Sequence, residues 1–419
     1  MEMGDAVLVL SPLLVGVSAA PADAPAASGW ASKIKVIRNA EYPLDVVDKL
    51  EEDMFPKVEA FLNKKIAAGK NNGCTLENAA VRREWSDMSI PDREEYVRAV
   101  TCLMKLPAKA DKNKFPGAIS RFDDFVAYHM THAGVLHDNL HLFAAHKYFL
   151  YAYEQALRNE CNYTGYQPYM NYDRYANDPI NSPMFNGNSS SMGGNGEHDP
   201  TYRGITQNGR NPNLIKSGGG GGCVKSGPFS DMVVSLGPMT KMVANIPSNR
   251  RSDGLGSNPR CLRRDINRNA AMGATADRAY KLINGNKGID GFYNELLGQP
   301  PPKNDPYPWG IHTAGHYIHA VDPGGDPATS PGDPVFYFHH GALDRLWWIW
   351  QMQDPDARLN AVPLIMADMP GMNHGKRQKK PVDLDKEMMD IDWIAPPIKL
   401  LEAHDNLGGN GGAFCYVYV

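Results

Sequence analysis

The chain has 419 residues, 43 Lys plus Arg against 47 Asp plus Glu for a net charge of −4, 42% hydrophobic residues and six cysteines. That is enough chain for a large core and too apolar for general disorder, and the balanced charge offers no basic field to a phosphate backbone. The one basic run, Lys376–Lys380, is short, and no stretch approaches the ~20 apolar residues of a membrane helix, so neither nucleic acid nor membrane is expected as a partner.

In chain order, Ala6 to Ala20 reads AVLVLSPLLVGVSAA, an apolar run ending in small residues. It predicts a signal peptide over 1–20, although Glu2 and Asp5 stand where positive charge is usual. An Ala/Pro-rich linker and N-terminal segment follow over 21–40, and 41–419 is expected to form a single domain. The six Cys are even in number with no CxxC pair, and sequons begin at Asn162 and Asn188. A secreted glycoprotein with disulfides is the expectation, its connectivity open among about fifteen pairings.

Val46, Val47, Leu50, Met54, Phe55, Val58, Phe61 and Leu62 recur at helical spacing, with Pro56 expected to kink or divide that helix. Ser89 and Pro91 read as the N-cap and first turn of a second helix. A third begins near Phe122 and runs through His129, and a fourth spans Leu142 to Cys161. From Tyr163 to Ser257 the chain is dense in Gly, Pro, Asn and Ser and reads as ordered loops. Gly218–Gly222 before Lys225-Ser226 is no phosphate loop, because Val224 stands where the motif requires Gly. It reads instead as a flexible loop pinned by Cys223. Helical periodicity returns over Arg264–Asn284, Gly288–Leu297 and His339–Met352, giving a mainly α fold with few short strands.

Ten of the 13 His fall in two groups: His129, His132, His137, His141 and His146, then His312, His316, His319, His339 and His340. Imidazole clusters without carboxylates at ligand spacing suit Cu, Fe, Ni or Zn, and the lack of HExxH and ExxH weighs against zinc peptidases and di-iron bundles. A dizinc hydrolase lacks its bridging carboxylates, and a purely structural role leaves the clustering without a reason. His312 and His316, four apart, share a helix face; His339 and His340 point about 100° apart. Asp344 follows His340 by four and is placed to accept its second ring N–H, so His340 is taken as the ligand and His339 as its packed neighbour. Spacing alone leaves His132 and His141 open as ligands. His198, His374 and His404 have no motif context and are expected at the surface.

The sequence His129-x7-His137-x8-His146, with His312-x3-His316 and Asp333-Pro-Val-Phe-x2-His339-His340-x3-Asp344-Arg-Leu-Trp-Trp, resembles the two copper motifs of the tyrosinase and catechol oxidase (polyphenol oxidase) family. The second motif is highly specific. Val81–Trp85, Ser120–Phe125, Tyr153–Arg158, Gly165–Tyr169, Asn258–Asp265 and the closing Tyr416-Val-Tyr418 are similar to segments of its short secreted fungal members, so the likeness covers nearly everything after residue 40.

The resemblance implies a central four-helix bundle holding two copper ions: His129, His137 and His146 on the first, His312, His316 and His340 on the second. With O2 as co-substrate, such a site oxidises small phenols. No catalytic residue beyond the ligands and no organic cofactor is implied. His132, His141, His339, Thr313, Tyr317, Gly341 and Asp344 are assigned to the pocket or to support of the ligands, and His319 likewise; Gly341 would leave room above the second copper.

Hydroxylating members often carry Asn after the first ligand of the second copper and Glu about ten residues before it. Here Thr313 and the acid-free stretch Pro301–Lys303 stand in those places, which favours oxidation of o-diphenols to o-quinones, with weaker hydroxylation of monophenols. A full monophenolase, or an oxygen-binding protein without turnover, is the alternative. Val135 replaces the Cys that some members link to a ligand His, and Ala145-His146-Lys147 departs from the commoner Trp-His-Arg. The short chain is read as lacking a shielding C-terminal domain.

Overall fold

The computed structural model describes residues 1, 30, 33–138, 141–206, 213–240, 245–299, 304–363 and 383–419. The expected signal run, the linker at 21–29, Pro301–Lys303, His374 and the basic run at 376–380 lie outside the described residues, as does the side chain of Val135.

Among the described residues, eight helices of seven residues or more carry the fold: α1 Val46–Ala67, α2 Ile90–Lys105, α3 Arg121–Asp138, α4 Leu142–Cys161, α5 Ala276–Gly285, α6 Ile289–Leu296, α7 Ile311–Tyr317 and α8 Val335–Gln353. Asp45 caps α1 by accepting from the Val47 and Asp48 amides at 2.7 and 2.8 Å, and Ser89 caps α2 with Pro91 in its first turn. Pro56 does not divide α1, which is continuous through it. The expected helix over Arg264–Asn284 is broken at Thr275: short turns occupy 268–274 before α5 starts.

The helix α8 is buried along its whole length and packs on α4, α1, α5 and α7. Its charged residues are therefore partnered by other elements. Arg345 reaches back to Asp48 (2.8 Å) and Glu51 (2.8 and 3.0 Å) of α1, all three buried. Because a charge left alone in that setting costs several kcal/mol, the trio fixes how α1 lies against α8.

Strands are few and short. Ala80–Arg82 runs parallel to Phe414–Tyr418, which pairs antiparallel with Leu407–Gly409, and Cys74–Cys415 closes the same corner. Cys102–Cys161 joins α2 to the end of α4, and Cys223–Cys261 ties two short strands, Gly221–Val224 and Arg260–Cys261. Gly221–Val224 is not a loose loop: it pairs antiparallel with Gly196–His198. One contiguous apolar cluster extends from Trp30 to Val419.

Candidate metal centre

Four helices deliver seven imidazoles to the middle of this core. α3 carries His129 and His137, α4 carries His146 in its second turn, α7 carries His312 and His316 on one face, and α8 brings His339 and His340. They form two groups, His129/His137/His146 and His312/His316/His339/His340, with the offered nitrogens of each group within 4.8 Å of one another and every residue buried. The groups face each other: the His146 and His340 rings stack at 4.2 Å, and His137 lies 6.3 Å from His312.

The first group has its ring orientations set by backbone. His129 Nδ1–H donates to Ala328 O, His137 to Ala133 O and His146 to Leu142 O, each at 2.8 Å. The last two use the carbonyl four residues back in their own helix. That places the proton on Nδ1 and leaves an Nε2 lone pair for a metal. Burial pulls all seven rings below the ordinary imidazole range, His137 to about 4 and His312 to about 3, and neighbouring imidazoles depress most of the others further. They are neutral at neutral pH. Nε2 of His129, His146, His312, His339 and His340 is buried with no protein partner, which is costly unless something else takes the lone pair. A soft or borderline cation fits that donor set.

Several supports were not legible beforehand. Phe336, one turn before His340, lies between the groups, 4.1 Å from His340, 5.4 Å from His129 and 5.8 Å from His316, and forms an apolar floor. The Tyr172 hydroxyl hydrogen bonds His339 Nδ1 at 2.5 Å. A Cβ at Gly315 would lie 2.1 Å from that same nitrogen, so only glycine admits the His339 ring there. A glycine inside a helix between two His was the available signal; nothing in the spacing pointed to Tyr172.

Other assignments are corrected. Asp344 does not reach His340: its carboxylate accepts from Tyr416 (2.7 Å), Tyr418 (2.6 Å) and Arg82 (3.4 Å), with Lys147 at 3.4 Å on the other oxygen. The tie-break for His340 over His339 therefore loses its stated basis, since both rings enter the second group. Gly341 does not leave room over the metal either, because its missing Cβ faces Pro168 O and Tyr169 at 3.2 Å. His132 stacks on Tyr128 at 4.3 Å with Nε2 3.4 Å from Asp392, and His141 lies 3.7 Å from Glu387; both face the segment after residue 383 rather than the imidazole groups. Tyr317 is buried on α7, and Thr313 is half-buried beside His312. His404 is not at the surface: it is buried, with Nδ1 3.1 Å from Leu359 O and its ring against Trp347. His198 is exposed. Lys147 turns away from the site, over the Trp347 ring at 4.2 Å.

A mainly helical protein that buries two facing, all-imidazole groups is built to hold a pair of metal ions. Residues 119–353 match the family model described as the common central domain of tyrosinase. The tyrosinase-like protein orsC of Emericella nidulans is 42% identical over 302 residues, 69% of this chain and 78% of that protein. The N-acetyl-6-hydroxytryptophan oxidase ivoB of the same organism is 30% identical over 350 residues, covering 82% and 93%. A polyphenol oxidase variant from Thermothelomyces thermophila superposes with a TM-score of 0.77 at 33% identity over 88% of this chain and 97% of that one. The chain belongs to the tyrosinase family, whose members are dicopper enzymes, and is a copper oxidoreductase that uses oxygen as acceptor.

Proposed function

We propose that the chain oxidises o-diphenols to o-quinones, with His129, His137 and His146 holding one copper ion and His312, His316 and His340 the other. The observation that carries this reading is the pair of buried, neutral, carboxylate-free imidazole groups 4.2 Å apart at their nearest rings. Copper held there supplies a two-electron couple to O2, so that two catechols and one O2 give two quinones and two waters. The preference for His340 over His339 rests on position: His340 stacks on His146 of the opposite group, whereas His339 turns its Nδ1 to Tyr172.

The protein's own part is rigidity and exclusion. Backbone carbonyls fix three rings, Phe336 fills the space between groups with apolar surface, and buried helices hold the whole within the tolerance that metal chemistry demands. Hydroxylating a monophenol also calls for a base beside the ring. Among the described residues neither group contains a carboxylate, and Thr313 stands where hydroxylating members often have Asn, which supports the diphenol reading. One relative's printed name, an oxidase of a hydroxylated tryptophan, supports a substituted phenolic ring as substrate. The three disulfides and the exposed sequon residues Asn162 and Asn188 support secretion, and the continuous core supports one catalytic domain over 41–419.

The test is a substrate panel on copper-loaded protein: a catechol, an o-methoxyphenol and a monophenol, followed by quinone absorbance and O2 uptake. Catechol turnover at least tenfold faster than monophenol turnover is expected. Equal rates would overturn the diphenol preference, and a single uptake of O2 without turnover would mark an oxygen-binding protein.

A further inference from the structure

The three rings of the first group are held in two different ways. His137 and His146 donate Nδ1–H to carbonyls of the local chain, Ala133 and Leu142, so helix formation alone orients them. His129 instead donates to the carbonyl of Ala328, 199 positions away, at 2.8 Å. Its orientation therefore depends on whatever fixes the turn 326–329, which lies between α7 and α8.

That turn is built around one carboxylate. Asp326 is buried, and both of its oxygens accept backbone amides: Oδ1 that of Ala328 at 3.0 Å, Oδ2 those of Met239 and Thr240 at 2.6 and 2.7 Å. Its main-chain carbonyl accepts the Thr329 amide at 3.1 Å. That amide belongs to the same rigid peptide plane as the Ala328 carbonyl, so Asp326 restrains the peptides on both sides of Ala328 and with them the direction in which the carbonyl points. Burial raises the Asp326 carboxyl above its ordinary value while the three amides oppose the rise, and donors on both oxygens suit the carboxylate.

The segment that supplies the other two amides lies close by. A Cβ at Gly237 would come within 2.6 Å of Thr329 Cγ2, so glycine is what lets it approach the turn. A Cβ at Gly254 would meet both Met239 Sδ at 2.5 Å and Met130 Cε at 2.9 Å, which puts Met239 beside the residue that follows His129 on α3.

We propose that Asp326 is a positioning residue for His129: its carboxylate gathers the Ala328, Met239 and Thr240 amides and so aims the Ala328 carbonyl at the ring. This rests on the reading that His129 binds copper through Nε2. The loop-rich stretch between Tyr163 and Ser257, which supplies no imidazole to either group, thus braces the first group through Asp326.

The experiment uses the full copper-loaded chain, its Asp326→Ala and Asp326→Asn variants, and His129→Ala. Hydrogen exchange of backbone amides and of histidine ring N–H groups is read by 15N NMR in the diamagnetic Cu(I) state, and copper content is followed during dialysis against a chelator. In the wild type, the Ala328, Met239 and Thr240 amides and His129 Nδ1–H should exchange about 10²-fold more slowly than exposed loop amides, a readout that needs no variant to fold. Asp326→Ala should speed exchange at His129 Nδ1–H by about tenfold or more while the His137 and His146 ring protons keep their wild-type rates. It should also weaken retention of one of the two copper ions about 10-fold, the lower end of what loss of a ligand's outer support costs. Asp326→Asn, which accepts through one oxygen only, should show both effects to a smaller degree and answers the question if the alanine variant does not fold. Unchanged exchange at His129 in the folded variants, equal acceleration at all three rings, or an unprotected Ala328 amide in the wild type would overturn the proposal. If His129→Ala itself kept both copper ions, the failure would lie in the ligand reading instead.

Discussion

At the residue scale, the adjacent pair His339-His340 shows what spacing conveys and where it stops. The 100° step between neighbours correctly separates their rings, and the motif correctly sends this part of α8 to the site. The choice between them had leaned on Asp344 as a hydrogen-bond partner one turn on, and that carboxylate turns out to serve Arg82, Tyr416 and Tyr418. No periodicity within α8 foretells a partner that arrives from strands more than 70 positions away in sequence. His340→Ala is expected to lose one copper ion and at least 10²-fold in catechol turnover, because its ring closes the gap to His146. His339→Ala should keep both ions, since its ring is held by Tyr172. Metal analysis beside turnover checks this, and equal copper loss in both variants would show that the two rings share the task.

At the element scale, α4 and α8 were readable because apolar side chains recur within a few positions: Leu142–Cys161 is found as expected, and α8 begins at Val335, earlier than its periodicity indicated. The closing strand Phe414–Tyr418 was recognisable only as a motif, although it is a structural keystone. Its two tyrosines and Arg82, which stacks on Tyr416 at 3.8 Å, bind Asp344 in a buried network that locks the strands Ala80–Arg82 and Phe414–Tyr418 onto α8. Asp344→Asn leaves Arg82 without its full counter-charge and should destabilise the fold by about 3 kcal/mol. Because Asp344 touches no imidazole of either group, copper content of the folded variant should be unchanged. Denaturant unfolding and metal analysis together check this; copper loss at unaltered stability would restore the discarded link to His340.

At the scale of the whole molecule, a predominantly helical body was legible from periodicity, and the loops between Tyr163 and Ser257 from their composition. Their short pairings, such as Gly221–Val224 with Gly196–His198, and the three disulfide partners were not, since both depend on contacts made only in the folded chain. Burying seven neutral imidazoles makes stability depend on acid. Rings ordinarily near 6.5 are depressed by burial, His137 to about 4 and His312 to about 3, so the unfolded chain binds more protons between those limits. Their contribution is present above about pH 6.5 and is lost as pH falls towards 4 and below. The copper-free protein should accordingly show a falling Tm over that window, and copper, which binds the folded neutral rings, should raise Tm at every pH where it stays bound.

The most direct test is a copper titration of the metal-free chain with catechol present, recording O2 uptake at each addition. Turnover should climb to a plateau at two copper ions per chain, with zinc giving none. A plateau at one copper ion, or equal turnover with zinc, would contradict a dicopper centre built from these histidines.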